Sequence, residues 1–199
     1  MSFLIRQTLI YAIPLMIVAL AGIFAERSGV INLALEGIMI FGAFAGVMCV
    51  RIMQGAGWFD AAKQASNYLA LQGYMVLTML VAAALGAVFS LLLSFAAINL
   101  KADQTIGGTA LNMLAPALVL FLIRILVNQN TLQLQSGDAA SWFMIKKSML
   151  GYDNKTNLGF WGETFLNKVY LTTYICILVF VILSIVLYKT RFGLRLRSC

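Results

Sequence analysis

The sequence predicts an all-α fold, a polytopic transmembrane helical bundle of about five spanning helices with interruptions. Three observations carry that expectation. Hydrophobic residues make up 62% of the chain and charged residues 11%, a balance that the core of one soluble domain cannot absorb. The mean hydropathy is +0.93, and the apolar residues gather into runs of the length a hydrocarbon core requires, about 20 residues each. Pro14, Pro116 and the pair Gly107-Gly108 fall in or beside those runs, where spanning helices tolerate a break only if neighbours satisfy the freed backbone groups.

The runs extend from Leu4 to Ala25, Val30 to Val50, Tyr74 to Leu100, Thr109 to Val127 and Val169 to Tyr188. The first contains Pro14 and lacks a small-residue cleavage site, so it is expected to be a retained span rather than a signal peptide. The second follows a charged turn, Glu26 to Gly29, and carries the carboxylate of Glu36 within its apolar stretch. Between the second and third runs, Arg51 to Gly73 includes Gly55, Gly57, Asp60, Lys63 and Asn67, with Trp58, Phe59 and Tyr68 suited to a membrane interface. It reads as an exposed loop with room for a short surface helix. The connection from Asn128 to Lys168 opens on Asn128, Gln129, Asn130, Gln133 and Gln135, then mixes Trp142, Phe143 and Trp161 with charges. Its length predicts that part of it packs on the membrane face of the protein. Asn154-Lys155-Thr156 fits a glycosylation acceptor pattern that arises often by chance.

Lys189, Arg191, Arg195 and Arg197 follow the fifth run directly, and by the positive-inside rule they place that end in the cytoplasm. Five crossings then put Glu26 to Gly29 and Lys101 to Gly108 inside, and both long connections and the amino terminus outside. The net charge of +7 is scattered along loops without a basic and aromatic stripe, so its expected counterpart is anionic membrane lipid and not nucleic acid. Cys49, Cys176 and Cys199 lie far apart and read as small apolar residues; neither a disulfide framework nor a metal site is expected.

Small residues recur at helical spacing as Gly42-x-x-x-Gly46 and as Ala82, Gly86, Ser90 and Ser94. Such stripes let helix backbones approach closely, and packing within one bundle is preferred here to a dedicated dimer face. Polar residues gather near the cytoplasmic ends of the second and fourth runs. Asn32 and Glu36 stand four apart, as on one helix face, and Thr109 and Asn112 share a face just after Gly107-Gly108. Two readings stay open for these four: they line a substrate path, or they hydrogen-bond to one another between helices. Arg124 reads as a side chain snorkelling to the interface.

No histidine is present, nor a G-x-x-x-x-G-K-[ST] loop, nor carboxylates paired at catalytic spacing. Histidine-based catalysis is excluded and nucleotide hydrolysis by this chain is not expected. The chain reads as no enzyme, with no cofactor and no catalytic residue, and active transport would draw energy from a partner subunit or an ion gradient.

Three segments resemble the permease subunits of bacterial ABC importers of the ribose, simple-sugar and nucleoside type. They are Glu26-Arg27-Ser28-Gly29-Val30-Ile31-Asn32-Leu33-Ala34-Leu35-Glu36-Gly37, Ala102-Asp103-Gln104-Thr105-Ile106-Gly107-Gly108-Thr109-Ala110-Leu111-Asn112, and Thr190-Arg191-Phe192-Gly193-Leu194-Arg195-Leu196-Arg197. The likeness covers the chain in order and is greatest to nucleoside and simple-sugar permeases. It implies a multi-pass protein of the bacterial cytoplasmic membrane that forms part of the path for a nucleoside or simple sugar by alternating access. The implied partners are a cytoplasmic ATP-hydrolysing subunit, a second homologous permease and an extracellular or lipid-anchored substrate-binding protein. On this resemblance the ATPase-coupling side comprises Arg191, Phe192, Gly193, Arg195 and Arg197. Family members continue into an ATPase-docking helix and further spans, so residues 1–199 read as one transmembrane permease domain short of its carboxy end. Pro116 departs from the less disruptive residue expected there. The alternatives are a membrane-embedded enzyme of lipid or cell-wall metabolism and a small channel or assembly scaffold.

Overall fold

The computed structural model describes residues 2–64, 68–134, 143–145, 162 and 169–197. Asn67, Gln135, Trp142, the Asn154-Lys155-Thr156 triplet, Trp161 and Cys199 lie outside the described residues, as do the side chains of Lys63 and Arg197. The described part is helical throughout, apart from turns and one short strand pair. Its helices are α1 (Ser2–Arg27), α2 (Leu35–Gly55), α3 (Trp58–Gln64), α4 (Tyr68–Ile98), α5 (Gln104–Val127), α6 (Leu171–Lys189) and α7 (Arg191–Arg197). Five of them, α1, α2, α4, α5 and α6, are long and apolar enough to cross a membrane.

Three of the spans form one packed group, because their facing residues are small. A Cβ placed on Gly46 would meet Ala82 Cβ at 3.3 Å, and one on Gly42 would meet the Ala82 carbonyl at 3.4 Å. Gly86 in turn approaches Ile38 and the Gly42 backbone. Gly42 and Gly46 therefore pack against Ala82 and Gly86, α2 on α4, within a single chain, while Ser94 at the end of the second stripe is exposed. Deeper in the same group, Ala34, Phe89, Leu93, Leu111 and Ala115 form a buried cluster shared by the start of α2, α4 and α5, with Phe41 stacked on Phe89 at 4.6 Å. The second group is α1 on α6, with α7 folded back to touch both. Large apolar side chains elsewhere on the spans face outward, as a hydrocarbon solvent allows.

At one end of the bundle the two long connections meet. Gly57, in the left-handed region at φ 75°, turns the chain from α2 into α3. Phe59 then packs edge-on to Tyr74 and Phe143, inside a cluster with Val50, Met53, Ala62 and Leu71. Arg51 donates to the Gln133 carbonyl at 2.8 Å, and Gln72 Nε2 to the Phe143 carbonyl at 3.4 Å. Two antiparallel strands, β1 (Met144–Ile145) and β2 (Val169–Tyr170), lead into α6. The surface helix and the packed loop expected from sequence are thus parts of one apolar cap.

Chain direction puts the ends of α1 and α6, and all of α7, at the opposite end. With the basic residues of α7 inside, a cysteine placed at Asn130 in a background free of native cysteines should be modified by a membrane-impermeant thiol reagent on intact cells. One placed at Leu194 should not. Labelling of the second alone reverses the orientation.

Four boundaries differ from expectation by more than a turn of helix, one of them the end of α2, at Gly55 and not Val50. α4 starts at Tyr68, six residues before the apolar run, because its first turns sit in the aromatic cap rather than in lipid. α2 starts at Leu35, not Val30, and α5 starts at Gln104, not Thr109. Both of the latter follow from how the two helix starts hold each other.

Candidate functional site

α1 ends at a left-handed glycine, Gly29 at φ 75°, while the Val30 N–H reaches back to the Ala25 carbonyl at 3.1 Å. The chain then runs from Val30 to Leu33 outside any helix, and the Ala34 carbonyl accepts the first bond of α2, from the Ile38 N–H at 3.0 Å. Asn32 lies in this segment and not on the α2 face; its Oδ1 accepts from the Ala34 N–H at 3.1 Å, a local turn that competes with helix. Asn32 and Glu36 consequently do not share a helix face.

α5 fastens the broken segment at three successive turns. Gln104, Gly108 and Asn112 lie four apart, on one face of the helix. The Ile31 N–H donates to Gln104 Oε1 at 3.1 Å. Gly108 lies under the next residues: a Cβ there would stand 3.0 Å from Leu33 Cβ and 3.2 Å from the Leu33 nitrogen. Asn112 completes the clamp with both ends of its amide, donating to the Leu33 carbonyl at 2.6 Å and accepting from the Gly37 N–H at 2.7 Å.

That last bond answers a local deficiency. A helix leaves its first N–H groups without intrahelical partners, and the residue preceding α2 is Ala34, which has no side chain to cap them. Asn112 supplies the cap from another helix. Gly37 is needed for the approach, since a Cβ there would lie 3.0 Å from both Asn112 Oδ1 and the Leu111 carbonyl.

Gly107 and Gly108 are therefore not a non-helical entry to α5; they lie in its first two turns, and Gly108 makes room for the crossing chain. The start of α5 is set by Asp103, whose Oδ1 accepts from the Thr105 N–H at 2.7 Å. The Thr105 N–H, then its hydroxyl and the Ile106 N–H, hold the Asp103 carboxyl below its ordinary range. Pro116 lies inside α5 without ending it, and having no N–H it deprives the Asn112 carbonyl of its usual helical donor.

Glu36 is exposed in the first turn of α2, where the positive end of the helix dipole favours a carboxylate. A helix of 21 residues is about 31 Å long, so its second residue stands near the edge of the hydrocarbon and not at its centre. Thr109 is also exposed, its hydroxyl bonded to the carbonyls of Thr105 and Ile106 on its own helix. The four polar residues thus come together at one end of α2 and α5. Asn32 and Asn112 spend their amides on backbone groups, whereas Glu36 and Thr109 point outward. Gln104 belongs to this constellation and was missed; its signal was its spacing of one turn from Gly108 and two from Asn112.

α7 joins α6 at a sharp elbow built on Thr190 and Gly193. Thr190 is extended at φ −102°, ψ 159°, and its Oγ1 accepts from the Gly193 N–H at 3.3 Å, a cap for the new helix. Gly193 presses on the last turn of α6. A Cβ there would collide with the Leu187 carbonyl oxygen and lie 2.6 Å from the Val186 oxygen. The elbow turns Phe192 and Leu194 outward, each 60% exposed, beside exposed Arg191 and Arg195; Arg197 ends the helix.

Arg124 lies in the last turn of α5, at the end opposite α7, and its Nε donates to Asn130 Oδ1 at 3.1 Å.

The chain is 37% identical over 198 residues to the guanosine ABC transporter permease protein NupQ of Bacillus subtilis (strain 168), and 34% identical over 201 residues to the nucleoside ABC transporter permease protein NupC of Lactococcus lactis subsp. cremoris (strain MG1363). Each alignment covers 100% of this chain and 56% of the relative, so the chain spans about half the length of these relatives. A putative glucose ABC transporter permease protein of Haloferax volcanii, TsgC13, is 26% identical over 208 residues, covering 98% of this chain and 52% of the relative. No solved structure matches. The branched-chain amino acid transport system / permease component family matches residues 4–199, and this multi-pass membrane chain belongs to that family.

Proposed function

We propose that the chain forms part of the permease of an ABC importer and lines the path of a nucleoside or simple sugar. Full-chain similarity to nucleoside permeases supports the class of solute. The geometric observation that carries the reading is the broken entry into α2, fastened along α5 by Gln104, Gly108 and Asn112. The break lies at the edge of the hydrocarbon, where irregular backbone must still be satisfied by protein or a wet cavity, and interrupted helices serve transporters as binding elements.

In this reading Asn32 and Asn112 shape the break, while Glu36 and Thr109 offer polar atoms to the solute. An ATP-hydrolysing subunit engages α7 through Arg191, Phe192, Arg195 and Arg197, with Gly193 setting the angle. A second homologous permease completes the path, and a substrate-binding protein, extracellular or lipid-anchored, delivers the solute to the opposite end.

The test is uptake of radiolabelled nucleosides and simple sugars by cells expressing the permease with these partners, under conditions that supply or deplete ATP. ATP-dependent uptake is expected; its absence with the assembly intact overturns the proposal. Glu36→Gln keeps the size of the side chain and removes its charge. Loss of one charge-assisted hydrogen bond, about 1.5–3 kcal/mol, should lower uptake by about tenfold or more while membrane abundance and ATPase binding persist. A parallel fall in abundance and uptake would assign Glu36 to folding.

A further inference from the structure

The seam between α1 and α6 is not closed in the part farther from α7. A hollow of about 170 Å³ lies there, lined by Ile10, Ile13 and Pro14 of α1, by Thr173 and Cys176 of α6 and by Tyr170 of β2. A second, of about 20 Å³, shares Ile10 and Thr173 and opens beside Arg6 and Tyr174. Tyr170 precedes α6, so the larger hollow begins at the capped end of the bundle. It runs as far as Cys176, about 8 Å along the helix from its first residue, Leu171. Neither hollow belongs to the break between α2 and α5.

Two polar groups face this space. Thr173 is only 8% exposed, and among the described residues its hydroxyl has no hydrogen-bond partner. The hydroxyls of Thr8, Thr109 and Thr190, by contrast, return to carbonyls of their own helices. On the facing helix Pro14 has no N–H, so the Ile10 carbonyl four residues back loses its usual helical donor. Ile10 and Pro14 share one face of α1, and that face lines the hollow. The seam thus sets a hydroxyl on one side against an acceptor in need of a donor on the other.

Their complement must donate to the Ile10 carbonyl and also bond to Thr173. An acyl chain does neither. A lipid ester carbonyl only accepts, which serves Thr173 and leaves the carbonyl freed by Pro14 unmet. Water does both, and one molecule occupies about 10–15 Å³ of such space and takes two to four polar partners. The smaller hollow is the size of a single water, and the larger has room for several.

We propose that the seam between α1 and α6 is a binding site for ordered water, which bridges the Ile10 carbonyl and the Thr173 hydroxyl in a cleft open at the end opposite α7. A bridging water holds nearly as well as a direct hydrogen bond, so the two helices are joined there without touching polar group to polar group. The site does not depend on which solute the permease carries.

Cys176 lines the cleft and reports on it. In the assembled permease with Cys49→Ala and Cys199→Ser, a small membrane-impermeant methanethiosulfonate is applied from the side that reaches a cysteine placed at Asn130. The thiolate is the reactive form, and apolar surroundings suppress it, so Cys176 should react at least about tenfold faster than a cysteine placed at Leu15. Leu15 lies next to Pro14 and is 62% exposed, whereas Cys176 is half-buried, so exposure without water would order the two the other way. This comparison needs no change in the seam. Thr173→Val keeps the shape and removes the hydroxyl, and Pro14→Ala returns an N–H to the Ile10 carbonyl; each should slow Cys176 by about fivefold. A Cys176 no faster than the cysteine at Leu15 overturns the water site. A rate left unchanged by either variant overturns the bridge between these two groups. A rate in reconstituted vesicles that follows the content of phosphatidylglycerol, whose headgroup hydroxyls both donate and accept, assigns the cleft to lipid and overturns the proposal as well.

Discussion

Asn112→Leu is expected to destabilise the protein by about 1–3 kcal/mol, the largest stability loss we anticipate from a single polar side chain in it. Leucine keeps the branched shape but is bulkier, so crowding against the start of α2 adds to the loss of the two backbone partners the substitution abandons. They are not equivalent. The Leu33 carbonyl belongs to an exposed residue and can find water, which makes its loss cheap. The Gly37 N–H is in a buried residue at the start of α2, against Ala115, and among the described residues the N-cap residue Ala34 offers no side-chain cap. Polar contacts between spanning helices often measure below 1 kcal/mol, because the unfolded chain in the membrane finds substitutes. A backbone N–H at an uncapped helix start has no equivalent substitute within its own chain segment. Thermal unfolding in detergent should show a lower midpoint for Asn112→Leu than for Thr109→Val, whose hydroxyl bonds only its own helix. Equal midpoints would refute the cap.

Gly193→Val should abolish coupling to the ATP-hydrolysing subunit without preventing insertion. Any Cβ at this position runs into the backbone of α6 at Leu187 and Val186, which cannot move aside as the end of a flexible side chain could. α7 must then leave α6, and Phe192 and Leu194 lose the orientation the elbow imposes. The spanning part of α6 lies on the other side of the collision and is untouched. The variant should reach the membrane at wild-type abundance, fail to co-purify with the ATP-hydrolysing subunit and show background uptake. Retained co-purification would mean that α7 is not the contact.

The five spans were legible because hydropathy reports solvent, and the solvent here is lipid for most of their length. Where protein replaces lipid, the signal fails. Tyr68 and Gln72 look too polar to belong to a span, yet they lie in the first turns of α4, where Leu71 and Tyr74 pack into the aromatic cap and Gln72 bonds the Phe143 carbonyl. Hydropathy ran α2 back to Val30 because Val30, Ile31 and Leu33 are apolar, while the turn made by Asn32 and the crossing over Gly108 are tertiary facts. Asp103 as the cap of α5 is readable from local chemistry, an aspartate two residues before the N–H it accepts from. The candidate site was legible as a gathering of polar residues in apolar surroundings. Its division of labour was not, since the partners of Asn112 are backbone atoms of Leu33 and Gly37, which leave no mark of their own in sequence.

The three fastenings along α5 also define a register. Gln104, Gly108 and Asn112 are spaced by about one turn of helix, roughly 5.4 Å along its axis, and each suits only the residue it faces. Sliding α5 by one turn relative to α2 in one direction sets Gly108 opposite the Gly37 N–H, which it has no side chain to receive. The same slide moves Gln104, and the opposite slide moves Asn112, into the space the Leu33 backbone occupies over Gly108. The start of α2 is therefore conditional on the axial position of its neighbour: α5 cannot translate past it by a turn without the first turn of α2 coming undone, carrying Glu36 with it.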